Sequence, residues 1–96
     1  MIPGLTTKLS ENVVASTTQI SAKSDLIIVT GSTAINEIIP NFGGGFSGIV
    51  AIVPIDGTVA LQTGQNIVAA VTMLQNRVTY LVYSKSQGLW YPHALS

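Results

Sequence analysis

Charge is what this sequence has least of. It holds four Lys or Arg and four Asp or Glu among 96 residues, whereas 47% of its residues are hydrophobic. A soluble globular domain carries about 25% charged residues, which would be roughly 24 at this length. Because surface charge keeps a small domain soluble and separate from its neighbours, the deficit indicates that lipid or other protein covers much of the surface.

Long apolar runs are also absent. A membrane-spanning helix needs about 20 apolar residues, but the longest run, GIVAIVPI over residues 48–55, contains a proline and ends at Asp56-Gly57. The N-terminal residues lack the apolar segment of a signal peptide. We therefore expect the cover to be protein, with no membrane partner.

Several kinds of chemistry are excluded by missing residues. Cysteine is absent, so disulfides and thiolate chemistry are excluded. The Lys and Arg residues are scattered rather than clustered, so no nucleic-acid partner is expected. His93 is the single histidine and the acidic residues lie in separate segments, which predicts neither a metal site nor a catalytic pair. The glycines at 43–45 lack the Lys of a phosphate-binding loop. We expect no enzyme, no catalytic residue and no cofactor.

From Val13 onward, β-branched residues and turn signals predict an all-β fold. Apolar runs such as DLIIVT (25–30) are bounded by Gly, Pro or Asp-Gly, at the spacing typical of a small sandwich or barrel-like unit. The run 35–39 follows as a further strand that stops at Pro40, and the segment 33–39 is too short for a convincing helical turn. The stretch 67–73 permits helix, but its valines and the flanking turns favour strand. Length allows one domain. We expect it to span residues 13–96, after an N-terminal arm of residues 1–12 that either frays or orders against a neighbouring subunit.

The last hairpin is apolar on both faces. It comprises RVTYLVYS (77–84), a turn at 85–88 and a returning strand that ends at Pro92. A two-layer sandwich buries only one face of each sheet. The second apolar face therefore predicts a partner, most simply another copy of the chain.

Aromatic side chains are the main interface candidates, because Tyr and Trp are enriched both at protein interfaces and on sugar-stacking platforms. Hairpin core is the alternative role for them. Glu37 and Arg77 are candidates for an ion pair, within one chain or between chains. If buried, such a pair would fix the strand register more than it would add stability. The interface candidates are Phe42, Phe46, Tyr80, Tyr83, Trp90 and Tyr91, with Arg77 and Glu37 as the charged pair.

The segment from Ile38 to Pro92 resembles a recurrent module of bacteriophage virion proteins. The resemblance lies in the order IIPNFGGGFSGIVAIVPIDGTVAL, then QNIVAAVTM, then VTYLVYSKSQGLWYP. It is similar to trimeric β-rich modules of capsid decoration (cement) proteins and of tail fibre or tail spike proteins. The resemblance implies a β-prism-like unit that assembles as an intertwined homotrimer in the virion, and it carries no catalytic residues.

Two roles compete within this resemblance. A decoration protein binds the major capsid protein on the head surface and stabilises the lattice, whereas a fibre or spike module binds a host receptor or glycan. A polysaccharide-cleaving spike fragment is a further alternative. Fibres usually carry such a module at the end of a long chain, so 96 residues with a short arm favour decoration. The resemblance then implies a location on the capsid surface.

Overall fold

Nine β-strands make up the regular structure of the protein in a computed structural model, which describes residues 9–41 and 47–93. The strands are β1 (Glu11–Ala15), β2 (Gln19–Ala22), β3 (Leu26–Thr30), β4 (Glu37–Pro40), β5 (Gly48–Pro54), β6 (Val59–Leu61), β7 (Val71–Met73), β8 (Thr79–Ser84) and β9 (Leu89–Pro92). The predicted all-β fold is confirmed. No helix in these ranges is long and apolar enough to cross a membrane.

The strands form one large sheet and two small ones. The five-stranded sheet has the order β1-β3-β5-β8-β9, and the pairs β2-β4 and β6-β7 form two-stranded sheets. Pairing is parallel in β1-β3-β5 and in β2-β4, and antiparallel in β5-β8-β9 and in β6-β7. The parallel pairs are not among the features expected from the sequence.

These pairings make the chain wind in three coils. β1, β3 and β5 stack in the large sheet, while β2 and β4 stack in the second layer and β6 joins them through a parallel bridge between Ile35 and Leu61. Each coil therefore contributes one strand to each layer, as in a β-solenoid. The antiparallel strands β7, β8 and β9 then cover the last coil. Ser10 and Asp25, which precede β1 and β3, hydrogen-bond to one another between neighbouring coils.

One core joins the two layers. It contains fully buried residues from all three sheets, with Ile27, Ile52 and Leu81 from the large sheet facing Ile38 and Leu61 of the second layer. The alternation of buried and exposed positions in β2, β3 and β8 follows the period-2 geometry of strands. Each sheet therefore has a distinct inward and outward face.

Side chains replace a strand beside β4. The N–H of Ile38 donates to Asn66 Oδ1 at 3.0 Å, and its carbonyl accepts from Asn66 Nδ2 at 2.6 Å. The same carbonyl also accepts from Trp90 Nε1 at 2.8 Å, across the core from β9. Because a buried backbone group without a partner is costly, these contacts satisfy the backbone of Ile38 on the side where no strand pairs with it.

Three sequence expectations need adjustment. The sheet begins at Glu11, because β1 pairs with β3 from that residue onward, so the predicted arm of residues 1–12 overlaps the first strand by two residues. The rest of that arm, residues 1–8, lies outside the described residues. Glu37–Pro40 is a strand, as the run 35–39 indicates, but it starts two residues later and includes Pro40. Within 67–73 only Val71–Met73 is a strand, and Ile67 forms an isolated bridge to Trp90.

Replacing Asn66 with Ala tests the contact beside β4. The Asn66→Ala change removes both hydrogen bonds to Ile38 and leaves its N–H without a partner, so we expect the free energy of unfolding to fall by about 2–3 kcal/mol. Urea unfolding followed by circular dichroism measures the loss. The neighbouring exposed Gln65→Ala is the matched control and should be nearly neutral. Equal effects of the two changes would contradict the assignment.

Candidate interaction surface

The face of the five-stranded sheet that points away from the core is apolar across all five strands. We call it the outer face. Cross-strand register arranges its side chains in three rows, Val13–Ile28–Val53, Leu26–Ala51–Tyr80 and Ile49–Val82–Tyr91. None of these nine side chains is charged, and Glu11 of β1, which lies opposite Leu26 at the end of the second row, adds one charge to this face.

Much of the outer face is open to solvent. Ile49 is 62% exposed, Val13 59% and Tyr80 54%, and Val82 and Tyr91 also exceed 40%. Ala51 is 8% exposed, because its small side chain lies between Leu26 and Tyr80 in the same row. Isolated exposed apolar residues are ordinary on protein surfaces, but a contiguous apolar face marks an interaction site.

The outward face of the second layer is different. Its side chains are mostly polar or small, and the Nε2 of Gln19 donates to the Oε1 of Glu37 at 2.8 Å across β2 and β4. Ser21 and Thr72 also lie on this side, and Ile39 is its one large exposed apolar residue among the described strands. The two sides of the molecule therefore differ in polarity, and only the outer face has the composition of a buried surface.

The structure separates the predicted aromatic candidates. Tyr80 and Tyr91 lie on the outer face, on neighbouring antiparallel strands. Trp90 does not lie on any surface. It is fully buried, and its indole donates to Ile38, so its place as an interface candidate is corrected to core. Tyr83 is partly buried and packs on Trp90, with ring centroids 5.1 Å apart. Phe42 and Phe46 lie outside the described residues.

The charged candidates do not meet within the chain. Glu37 lies on β4 and accepts its hydrogen bond from Gln19 rather than from Arg77. Arg77 is exposed in the turn before β8, where its N–H donates to the carbonyl of Leu74. Pairing between chains stays a prediction.

The described residues offer little for small-molecule chemistry. Within 9–41 and 47–93, no group of three or more His, Asp or Glu side chains is placed to hold a metal ion. An open groove of about 520 Å³ is lined by Ser10, Lys23, Asp25 and Ile49 among others. Asp25 accepts there from the hydroxyl and N–H of Ser10, so the carboxylate supports the turn between coils.

Comparison with known proteins gives no relative. A scan against protein-family models finds no match, and searches of the curated proteins and of the solved structures find none either. The outer face and the residues of the chain itself are therefore the features that bear on function.

The part of the outer face contributed by the final hairpin was predictable from the sequence, whereas the part contributed by β1, β3 and β5 was not. Val13, Ile28 and Ile49 join Tyr80 and Tyr91 only because β1, β3 and β5 lie beside β8 in one sheet. The sequence pattern that indicates these strands is the alternation of apolar and polar residues along each of them. A parallel register between distant segments cannot be read from that signal, because short apolar runs pair in many registers.

Replacing Trp90 tests its assignment to the core. The Trp90→Phe change removes the hydrogen bond to Ile38 and leaves a small cavity, so the free energy of unfolding should fall by about 2–3 kcal/mol. The adjacent Tyr91→Phe, on the exposed side of the same strand, should change it by less than about 0.5 kcal/mol. Denaturant unfolding at one fixed protein concentration compares the two. A larger loss for Tyr91→Phe would contradict the assignment.

Proposed function

We propose that this chain is a viral structural protein that self-assembles through its outer face and serves as a capsid decoration (cement) protein. The observation that carries the proposal is the apolar face of the five-stranded sheet, which has one charged residue, Glu11 at its β1 edge, and lies opposite a polar second layer. The composition supports it, because eight charged residues in 96 leave too little charge to cover a monomer's surface.

The size of the outer face suits a contact between copies. Five strands spaced about 4.8 Å apart, each about 20 Å long, give a face on the order of 500 Å². Two such faces in contact would bury on the order of 1,000 Å², the lower limit for a specific interface. The rows of Val, Ile and Tyr also match the composition of an interface core, from which charged residues are depleted.

The proposals of a homotrimer and of a capsid role have a different support, which is the resemblance of Ile38–Pro92 to phage virion modules. Three copies that turn their flat outer faces toward a common axis would form a β-prism and enclose a shared apolar core. This arrangement removes Ile49, Tyr80 and Val82 from water in every copy. The partner of the trimer is then the major capsid protein, and its location is the capsid surface.

A second candidate is a tail fibre or spike module that binds a host receptor or glycan. The exposure of Tyr80 and Tyr91 on one face favours it, because exposed aromatic rings stack on sugars. Under this alternative the outer face stays open in the assembly. The two roles therefore differ in whether assembly covers these two tyrosines.

A charge placed in the outer face tests self-assembly. We expect wild-type chain to sediment as a trimer and Val82→Lys to dissociate by at least tenfold in concentration, because a Lys buried without a partner costs more than about 1.4 kcal/mol. Thr72→Lys, on the outward side of β7, is the matched control and should leave the sedimentation coefficient unchanged. A monomeric wild-type chain at all concentrations would contradict the proposal.

Capsid binding is tested separately. Purified chain added to expanded, undecorated capsids of the phage that encodes it should saturate a regular set of sites and raise the capsid disruption temperature. Thr72→Lys and wild type should both assemble, so a difference between them in capsid binding would place the second layer at the capsid. Absence of capsid binding, together with saturable binding to host envelope glycans, would favour the fibre alternative.

A further inference from the structure

The five-stranded sheet has one free edge in the described part of the chain. β1 forms that edge, since it pairs with β3 on one side and no described residue pairs with its other side. The opposite edge is occupied. The N–H of Trp90 in β9 donates to the carbonyl of Asn66, and the carbonyl of Trp90 accepts from Val68.

The backbone groups at the free edge follow from the pairing with β3. Ser16 N–H donates to the carbonyl of Thr30, and Ser10 carbonyl accepts from Leu26, so the even-numbered residues of this segment face β3. Alternate residues of a strand direct their backbone groups to opposite sides. The N–H and C=O groups of Glu11, Val13 and Ala15 therefore point outward from the sheet, in its plane.

β1 has few of the features that protect an edge strand from pairing with a further strand. Natural sheets protect an edge with Pro, Lys, bulges or a covering segment. β1 reads ENVVA, with one charge and no proline or glycine, and it is paired without a bulge over its five residues. Such an edge is suited to adding a strand.

We infer that β1 pairs in antiparallel orientation with β1 of a second copy, about a two-fold axis at Val13, to form a continuous ten-stranded sheet. This register places Val13 opposite the second copy's Val13 and Glu11 opposite the second copy's Ala15. Each outward N–H and C=O of these residues then meets a partner.

Three observations favour a second copy as the occupant. With the β9 edge occupied, edge pairing between copies is restricted to β1 with β1, which closes as a two-fold dimer and does not polymerise. The two Glu11 side chains lie about 13 Å apart along the paired strands, beyond the screening length, so they do not repel strongly. The apolar row Val13–Ile28–Val53 also continues into the same row of the second copy.

This contact is distinct from the proposed outer-face contact. Edge pairing uses backbone groups in the plane of the sheet, whereas the outer face uses side chains above that plane. The inference does not depend on the trimer, and a trimer that has both contacts would be joined to a second trimer through its β1 edges.

Cysteine pairing tests the register directly, because the chain contains no cysteine. Copies carrying Glu11→Cys are mixed with copies carrying Ala15→Cys, and the mixture is oxidised and separated on a non-reducing denaturing gel. The two positions face each other at about 5.5 Å between Cα atoms, which a disulfide spans. We expect covalent dimers in the mixture and none with either variant alone, since like positions lie about 13 Å apart. No dimer in the mixture, or equal dimer formation by a single variant, would overturn the inference.

A proline at Val13 provides a second measurement. Val13→Pro removes an outward N–H that β3 does not use, so β1 keeps its pairing within the chain. Self-association should weaken about tenfold or more, because two intermolecular hydrogen bonds are lost by symmetry. Val13→Ile keeps both the N–H and an apolar side chain on the outer face, so it should retain the mass of the wild-type assembly. An unchanged mass for Val13→Pro, with rapid amide exchange at Ala15 in the wild type, would exclude the edge contact.

Discussion

The fold depends on the hydrogen-bond partners of the Ile38 backbone N–H and C=O groups. The second layer is built from two-stranded sheets, and β4 has a strand on only one side of its Ile38 peptide groups. Asn66 supplies a donor and an acceptor there, and Trp90 reaches across the core to the same carbonyl. This contact joins β9 of the large sheet to β4 of the second layer. Because Trp90 and Leu81 face the core, alternation along β9 and β8 places Tyr91, Tyr80 and Val82 on the outward side.

The outer face and the low charge of the chain have one physical explanation. Burial of a face with the composition of a protein interior favours association, while few charged side chains oppose it. The hydrogen bond between Gln19 and Glu37 on the opposite side shows that the chain places polar groups outward there. The difference between the two sides is therefore the main structural support for an assembly role.

Much of the strand content was predictable from residues, whereas the pairing was not. Asp56-Gly57 and the turn at 85–88 separate strands where the sequence predicts turns, and the alternation in β8 agrees with its burial. The parallel coils depend on contacts between distant segments, for which alternation gives no register. Trp90 illustrates the limit for the site. Its size predicts either core or interface, and only the position of β9 beside residues 66–68 places it inside the molecule.

The hydrogen bond from Trp90 to Ile38 also has a kinetic consequence. These residues are 52 positions apart, and parallel pairing between coils likewise joins segments distant in the sequence. Folds dominated by such non-local contacts form slowly, because loop-closure entropy is lost before the contacts stabilise the chain. The hydrogen bond between the two layers at Ile38 cannot form until β9 is present. Chains that have not yet made this contact expose apolar strands, which favours aggregation at high concentration.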